Sequence, residues 1–137
     1  MILQVNFKAG KPVYLQLVDQ VKAATASGIL RPGEALPSIR PLAEELRVNR
    51  NTVAKAYDEL EAQGVIENVA GKGCFVKENG SPLKKDIRRK ILVQDVDQVV
   101  VQSYHLQVPR DEFVELVNDR LDDLEKRIRA NEPQQPN

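Results

Sequence analysis

The sequence predicts a mainly α fold with a small β-hairpin wing, in which a winged helix-turn-helix precedes a C-terminal pair of helices. Three observations support this prediction. Apolar residues recur at helical spacing in three successive segments, two short apolar runs then flank a glycine-rich tip, and two further helical patterns follow a polar linker. We expect the winged domain at residues 1–77, the linker at 78–82, a helical dimerisation domain at 83–130 and a disordered tail at 131–137.

The chain opens with an extended arm and a first helix. Leu3, Val5 and Phe7 alternate with other residues, which is typical of a strand or an extended arm. Pro12 then opens the helix, because proline is tolerated in a first turn, and Gly28 ends it. The apolar positions of this helix are Val13, Leu17, Val21 and Ala24.

Turn and capping residues delimit the second and third helices. Residues 31–34 form a turn because proline presets one corner and glycine supplies a positive φ at the next. Ser38 is the predicted N-cap of the second helix, a break follows at residues 47–48, and Asn49 caps the third helix, which runs to about residue 63. Gly64 then takes the left-handed position. The inner faces are Leu42, Ala43 and Leu46, then Val53, Ala56, Tyr57 and Leu60.

Composition excludes several classes of protein. The 137 residues carry 20 basic and 20 acidic side chains, so the formal net charge is zero, and the single cysteine forms no internal disulfide. No apolar run approaches the roughly 20 residues that span a bilayer, and the first residues lack the pattern of a signal peptide. These observations predict a cytoplasmic protein.

The third helix leaves a polar surface outside its buried stripe. Its first turn presents Arg50, Asn51 and Thr52 beside backbone N–H groups that we expect to be free, and Lys55 also lies outside the stripe. A helix-turn-helix inserts this part of its second helix into the major groove. There arginine pairs with guanine, asparagine with adenine, and threonine contacts a phosphate or a thymine methyl. Residues 1–77 hold ten basic against eight acidic side chains, which is the sign that DNA binding requires.

The hairpin tip and the second helix add to this surface. Gly71 and Gly73 carry no side chains, so the tip can approach DNA closely, and Lys72 between them suits a phosphate or minor-groove contact. Arg40 would lie near the same DNA backbone. Each feature also has an ordinary explanation: a surface arginine paired with a nearby glutamate, a helix-capping asparagine, or a plain hairpin turn.

Three segments resemble the signature of the GntR family of regulators. They are residues 28–43 (GILRPGEALPSIRPLA), 48–64 (VNRNTVAKAYDELEAQG) and 71–76 (GKGCFV). The opening PVYLQL at 12–17 and the short helical tail resemble the YtrA-like subfamily. The resemblance implies a bacterial transcriptional regulator, usually a repressor, that binds a palindromic operator as a dimer.

The resemblance also carries residue roles. It implies DNA contacts at Ser38, Arg40, Arg50, Asn51, Thr52, Gly71 and Lys72. Ala54 departs from the pattern, because some relatives have a base-reading arginine there, so base preference at this point is expected to be lost or shifted. Pro41 is unusual and has no N–H, so a side-chain cap from Ser38 would have to use the N–H of Arg40.

The two C-terminal helices carry apolar stripes that so short a segment does not cover by itself. Two helices in about 50 residues do not enclose a core. Two-fold pairing with a second copy buries both stripes and sets two recognition helices about 34 Å apart. The alternative is that these helices pack on their own N-terminal domain. The predicted dimerisation residues are Leu83, Ile87, Ile91, Phe113, Val117, Leu121, Leu124 and Ile128.

These inferences predict a sequence-specific regulator of double-stranded operator DNA, with an unidentified small-molecule effector as a further partner. The small helical domain leaves little room for a closed cavity of roughly 300 Å³ or more. His105 is the single histidine, so we expect no multi-histidine metal site and no cofactor, and Cys74 is interpreted as a strand residue rather than a redox sensor. The alternative function is a winged-helix adaptor that binds protein and not DNA. An enzyme is disfavoured because no paired acid–base motif is present.

Overall fold

Five helices and one antiparallel hairpin build the part of the chain that the structure, a computed structural model, describes: residues 3–78 and 83–133. The helices are α1 (Val13–Ser27), α2 (Ile39–Leu46), α3 (Arg50–Ala62), α4 (Lys85–His105) and α5 (Arg110–Ala130), and the strands are β1 (Ile66–Val69) and β2 (Gly73–Val76). The fold class predicted from the sequence is confirmed.

The core of the winged domain lies around α3. Both α1 and α2 pack against α3, and β1 contacts it as well. All four predicted residues of the α3 stripe are buried. In α1, Val18 joins the core although the sequence pattern missed it, while Val13 is only half-buried. Leu30, Leu36, Ile66 and Val76 complete the core from outside the helices.

The helix ends lie where the local signals placed them. Gly28 ends α1 with φ 85°, a left-handed conformation that glycine adopts without strain. Arg47 makes the break between α2 and α3 at φ 57°. Ser38 and Asn49 occupy the two predicted N-cap positions, but only Asn49 caps through its side chain.

The hairpin has a third extended neighbour that the sequence pattern did not reveal. β1 and β2 pair antiparallel, with Ile66 opposite Val76. On the other edge of β2, the Leu36 N–H donates to the Cys74 carbonyl at 2.9 Å, and the Val76 N–H donates to the Glu34 carbonyl at 2.8 Å. The segment before α2 is too short to show alternation, so only the fold reveals its pairing.

The N-terminal arm is extended but is not a strand. The Gln4 N–H donates to Gln20 Oε1 at 2.9 Å, and Gln20 Nε2 donates back to the Gln4 carbonyl at 2.6 Å. Gln16 makes the same pair of hydrogen bonds with Asn6, both at 2.9 Å. Two glutamines of α1 therefore replace the neighbouring strand that would otherwise satisfy this backbone.

The apolar residues of the arm differ in burial. Leu3 and Val5 pack against the core. Phe7 is 68% exposed, which corrects the expectation that it shares their side. The chain turns at residues 7–10, and this turn ends the alternation.

The C-terminal helices contain no buried residue. The β-branched run at 99–101 lies inside α4, so it is helical, and α5 begins directly after Pro109 as predicted. Among the described residues, packing between these helices and the winged domain is concentrated where α5 meets α1. The alternative, packing on the N-terminal domain, therefore occurs only at one end of α5, while the apolar stripes stay uncovered.

The apolar side chains of α4 change side halfway along the helix. Ile87 and Val96 are nine positions apart, which is about two and a half turns at about 3.6 residues per turn, so they point in opposite directions. Ile91 shares the side of Ile87, four positions along the helix, whereas Leu83 lies just before the helix begins at Lys85. From residue 92 onward, Leu92, Val93, Val99 and Val100 lie around Val96, and Val101 lies towards the side of Ile87.

The boundaries of the predicted tail and linker are partly described. Asn131, the first residue of the predicted disordered tail, is half-buried and hydrogen-bonded. Linker residues 79–82 and tail residues 134–137 lie outside the described part. Within residues 3–78 and 83–133, no helix has the length and apolar character needed to cross a bilayer.

Candidate nucleic-acid interface

The N-terminus of α3 is closed by its own cap. Asn49 Oδ1 accepts the Asn51 N–H at 2.8 Å, and the Asn49 carbonyl accepts the Thr52 N–H at 3.0 Å. Two of the backbone donors expected to be free are therefore occupied, which corrects the expectation of an open amide site in this turn. The side chains of Arg50 and Asn51 are exposed and that of Thr52 is half-buried. The groups that this turn exposes are consequently the side chains of Arg50 and Asn51.

The two predicted arginines differ in their surroundings. Arg40 Nε lies 3.9 Å from Glu44 Oε1, and both side chains are more than 70% exposed. Such a long, exposed ion pair contributes little to stability, so the Arg40 guanidinium remains available to an external acceptor. The contact with Glu44 also agrees in part with the alternative explanation, that Arg40 is a surface arginine paired with a glutamate. Arg50 has no ion-pair partner among the described residues. Its guanidinium keeps all its donors for an external acceptor.

Lys55 is held by the first helix. Its Nζ lies 4.1 Å from the centroid of the Tyr14 ring, a cation–π contact that fixes the side chain without neutralising its charge. The ammonium therefore remains a donor on the exposed surface of α3. The sequence pattern placed Lys55 outside the buried stripe but gave no sign of its aromatic neighbour, because Tyr14 is remote in the chain.

The start of α2 offers backbone donors that no side chain caps. Ser38 is exposed and makes no side-chain cap, so its hydroxyl is not consumed by its own helix. Among the described residues, the N–H groups of Ile39 and Arg40 have no acceptor. Free N–H groups at a helix N-terminus favour an anion such as a phosphate.

A buried tyrosine joins these two helix starts. The Tyr57 hydroxyl of α3 donates to the Pro37 carbonyl at 2.6 Å, directly before Ser38. Burial, and secondarily the neighbouring Cys74, raises the pKa of Tyr57 far above its usual range, so the phenol stays neutral and keeps donating. The Ser38 end of α2 is thereby held against α3.

The wing tip meets the requirement for close approach. Gly71 and Gly73 have φ 76° and 111°, and a Cβ at either position would meet no atom within 4 Å. The Lys72 N–H closes the turn on the Val69 carbonyl at 2.9 Å. Lys72 is therefore an exposed cation at the tip of an open turn. The structure places all three predicted wing residues at this one exposed end.

Other reactive groups give no sign of a second site. Burial, and then the charges of Glu61 and Asp58, raise the pKa of Cys74, a half-buried thiol on β2. His105 lies edge-on against Tyr104. No group of three metal-ligating side chains occurs in the part of the chain that the structure describes.

A winged helix-turn-helix with exposed cations on α3 and on the wing defines the class of DNA-binding regulatory domains. The family model "Bacterial regulatory proteins, gntR family" matches residues 13–76. The chain is 30% identical over 118 residues to the HTH-type transcriptional repressor YtrA of Bacillus subtilis (strain 168), covering 86% of this chain and 91% of YtrA. The protein belongs to the GntR family, and its similarity to YtrA extends beyond the winged domain.

Solved structures agree with this placement. A protein described as a transcriptional antiterminator from Listeria monocytogenes EGD-e superposes with a TM-score of 0.80 at 29% identity, covering 100% of this chain and 98% of that one. The DNA-binding domain of AraR, solved in complex with its operator ORX1, superposes with a TM-score of 0.50 at 28% identity, covering 56% of this chain and 98% of that domain.

Proposed function

We propose that this protein is a transcriptional repressor that binds a palindromic operator as a homodimer, with the start of α3 in the major groove. The observation that carries the proposal is the exposed first turn of α3, where Arg50 and Asn51 have free side chains while the cap consumes the amides. Side chains without a partner inside the fold remain available to hydrogen-bond base edges in the groove.

Phosphate contacts come from the neighbouring elements. The open N-terminus of α2, with Ser38 and Arg40, suits one DNA strand, and Lys72 at the wing tip suits the adjacent backbone or minor groove. Lys55, held on Tyr14, adds a further cation beside α3. The operator-bound AraR domain and the naming of YtrA as a repressor support this arrangement for a similar fold.

The uncovered stripe of α5 supports the proposed dimerisation. Val117 and Leu121 are 40% and 53% exposed, and Ile128 is 36% exposed. A continuous row of such residues marks a protein interface, and a second copy supplies the same row by two-fold symmetry. The apolar side chains around Val96 on α4 are also exposed and offer further surface to a second copy. In contrast, Leu83 and Ile91 line a cleft towards their own winged domain.

That cleft is where we place an effector. It has a volume of about 730 Å³ and lies between the end of α3, the end of β2 and the first half of α4. Three of its lining residues are cations, Lys22, Lys77 and Arg88, against two carboxylates. None of the three cations forms an ion pair among the described residues. The effector we propose is therefore a small organic anion with an apolar body, and the protein works in the cytoplasm, where chromosomal DNA and metabolites meet.

Selection of bound duplexes from a random pool tests the proposed function. We expect a palindrome, with affinity that falls steeply as salt rises. Arg50→Ala should cost about 1–3 kcal/mol and relax base preference at one position of each half-site. Lys72→Ala should instead weaken binding to all sequences and reduce the salt slope by about 1 per protomer. Arg110→Ala, at the start of α5, is the matched control and should leave operator affinity unchanged.

Two results would contradict the proposal. A wild-type protein that shows no preference among duplexes at moderate salt binds no operator. Equal base preference in wild type and Arg50→Ala would remove Arg50 from the recognition surface.

A further inference from the structure

We propose that Asn131 sets which spacing of operator half-sites the dimer accepts, because it clasps the end of the dimerisation helix α5 to the end of α1. The inference rests on the proposed function, since spacing has meaning only for a dimer on DNA. It concerns a residue outside the DNA-contacting surface and outside the apolar stripes.

The carboxamide of Asn131 uses both of its N–H donors on helix ends. Asn131 Nδ2 donates to the Ser27 carbonyl at 2.9 Å and to the Arg127 carbonyl at 3.0 Å. Ser27 is the last residue of α1, and Arg127 lies in the last turn of α5. A side-chain amide has two donor hydrogens, so one side chain joins the two helix ends.

Electrostatics explains why a donor is required here. The C-terminal end of a helix carries a partial negative charge from its unpaired carbonyls. Where α1 and α5 meet, two such ends lie side by side and repel each other. The Asn131 amide offers positive hydrogens to both ends, and Arg31 Nη2 donates to the Asn131 carbonyl at 3.4 Å. This amide and this guanidinium together offset the repulsion.

Close packing supports the same contact. A Cβ added to Gly28 would lie 3.3 Å from the Asn131 Cβ, so the chain at the end of α1 has little spare room beside α5. Ser27 is only 1% exposed. The hydrogen bond from Asn131 to the Ser27 carbonyl is therefore partly buried, whereas the one to the Arg127 carbonyl is exposed.

The clasp links the dimer contact to the recognition helix. α5 carries the apolar stripe, Asn131 ties its end to α1, and α1 packs on α3. Within residues 3–78 and 83–133, α4 has no comparable packing on the winged domain. The clasp is thus the contact that fixes how far apart two copies of α3 lie.

Asn131→Asp breaks the clasp with little change of shape. It removes both donors and adds a negative charge where two negative helix ends meet. Asn131→Ala removes the donors without adding charge, and it serves if the aspartate variant does not fold. Asn118→Asp, the same change at an exposed position of α5, is the matched control.

Affinity is measured on a series of operators whose half-site separation changes in single base pairs over about one helical turn, or about 10 bp. We expect one strongly preferred spacing for the wild type and for Asn118→Asp. For both Asn131 variants, the ratio between the best spacing and one offset by about half a turn should fall about tenfold, within the usual range of coupling between sites. Sedimentation should still show dimers, and affinity for an isolated half-site should be unchanged.

Each other outcome overturns the inference. If a folded, dimeric Asn131→Asp or Asn131→Ala protein keeps the wild-type spacing profile, the hydrogen bonds of Asn131 do not set the spacing. Loss of half-site binding in both variants means that Asn131 maintains the winged domain itself. If the wild type binds no specific duplex, the proposed function itself is wrong. This outcome is distinct from a failure of the inference about Asn131.

Discussion

At the scale of single residues, the side chains that cap and anchor α3 leave its recognition side chains free. Asn49 caps α3 through Asn51, as its residue type predicted. The same hydrogen bond contradicts the expectation of free amides in that turn, because a cap consumes those donors. The groups that Arg50 and Asn51 expose at this turn are therefore their side chains. Ser38, predicted as a cap, leaves its hydroxyl unused beside a helix whose third residue is a proline.

Tyr57→Phe tests the anchor between α3 and the start of α2. Tyr57 is 4% exposed, and its hydroxyl is the donor to the Pro37 carbonyl. We expect a loss of about 1–2 kcal/mol in the free energy of unfolding, because a carbonyl is left without its donor. Urea unfolding at neutral pH measures it. Tyr104→Phe is the control, since Tyr104 is 77% exposed.

The same variant should change the dependence of stability on pH. Burial raises the pKa of Tyr57 in the folded protein above the value of about 10 in the unfolded chain. The neutral phenol therefore stabilises the fold below about pH 10, and this contribution is lost as pH rises further. Tyr57→Phe should flatten the decline in stability above about pH 10. An unchanged decline would mean that other groups govern alkaline unfolding.

At the scale of elements, α4 exposes apolar side chains in two directions. Leu83, directly before α4, and Ile91 within it line the cleft towards the winged domain. The side chains around Val96 point in the opposite direction from Ile87, and we propose that they face the dimer partner. The sequence pattern read this helix as one stripe, because every fourth residue in the first half is apolar and the later switch is gradual. The dimer role of Leu83, Ile87 and Ile91 stays a prediction.

Arg88→Ala tests the cleft. Thermal unfolding is followed with a panel of small organic carboxylates and phosphates. We expect at least one to raise the melting temperature of the wild type and to shift its operator affinity, because a ligand that binds the folded state stabilises it. Arg88→Ala should lose both effects. Arg89→Ala, the neighbouring arginine that does not line this cleft, should keep them. Equal responses in both variants would place the anion elsewhere.

At the scale of the whole molecule, a single chain leaves the apolar surface of α4 and α5 uncovered, and we propose that a second copy covers it. α4 and α5 have no buried residue in the described part of a single chain. A segment of this size needs a partner to cover its apolar surface. The same pairing supplies the second recognition helix that a palindrome requires. In the proposed dimer, the stability of the helical domain and operator binding depend on the same assembly.

Leu121→Asp tests that assembly. A charge within the α5 stripe should convert the dimer into a monomer, because an unpaired charge in an apolar interface is costly to desolvate. Sedimentation should show wild type at twice the 15.4 kDa chain mass and the variant at that mass. Operator affinity should fall with it. Lys126→Asp, at an exposed position outside the stripe, should remain dimeric. A wild type that sediments as a monomer would contradict the proposal.

The sequence alone predicted the order and type of the elements and most helix ends. Asn49, Gly28 and Gly64 act through backbone groups within a few residues, and the α3 stripe follows from helical period alone. It also placed Arg50, Asn51 and Lys72 on the exposed surface, because each lies outside a buried pattern.

The contacts between groups far apart in the chain are visible only in the tertiary structure and were not predicted from the sequence. Leu36 pairs with Cys74, Gln20 with the arm at Gln4, Lys55 lies on the Tyr14 ring, and Asn131 joins Ser27. These contacts connect segments far apart in the chain, so no local period or cap records them. They form because packing around α3 brings those segments together, and hydrogen bonding then satisfies the polar groups that the packing removes from water.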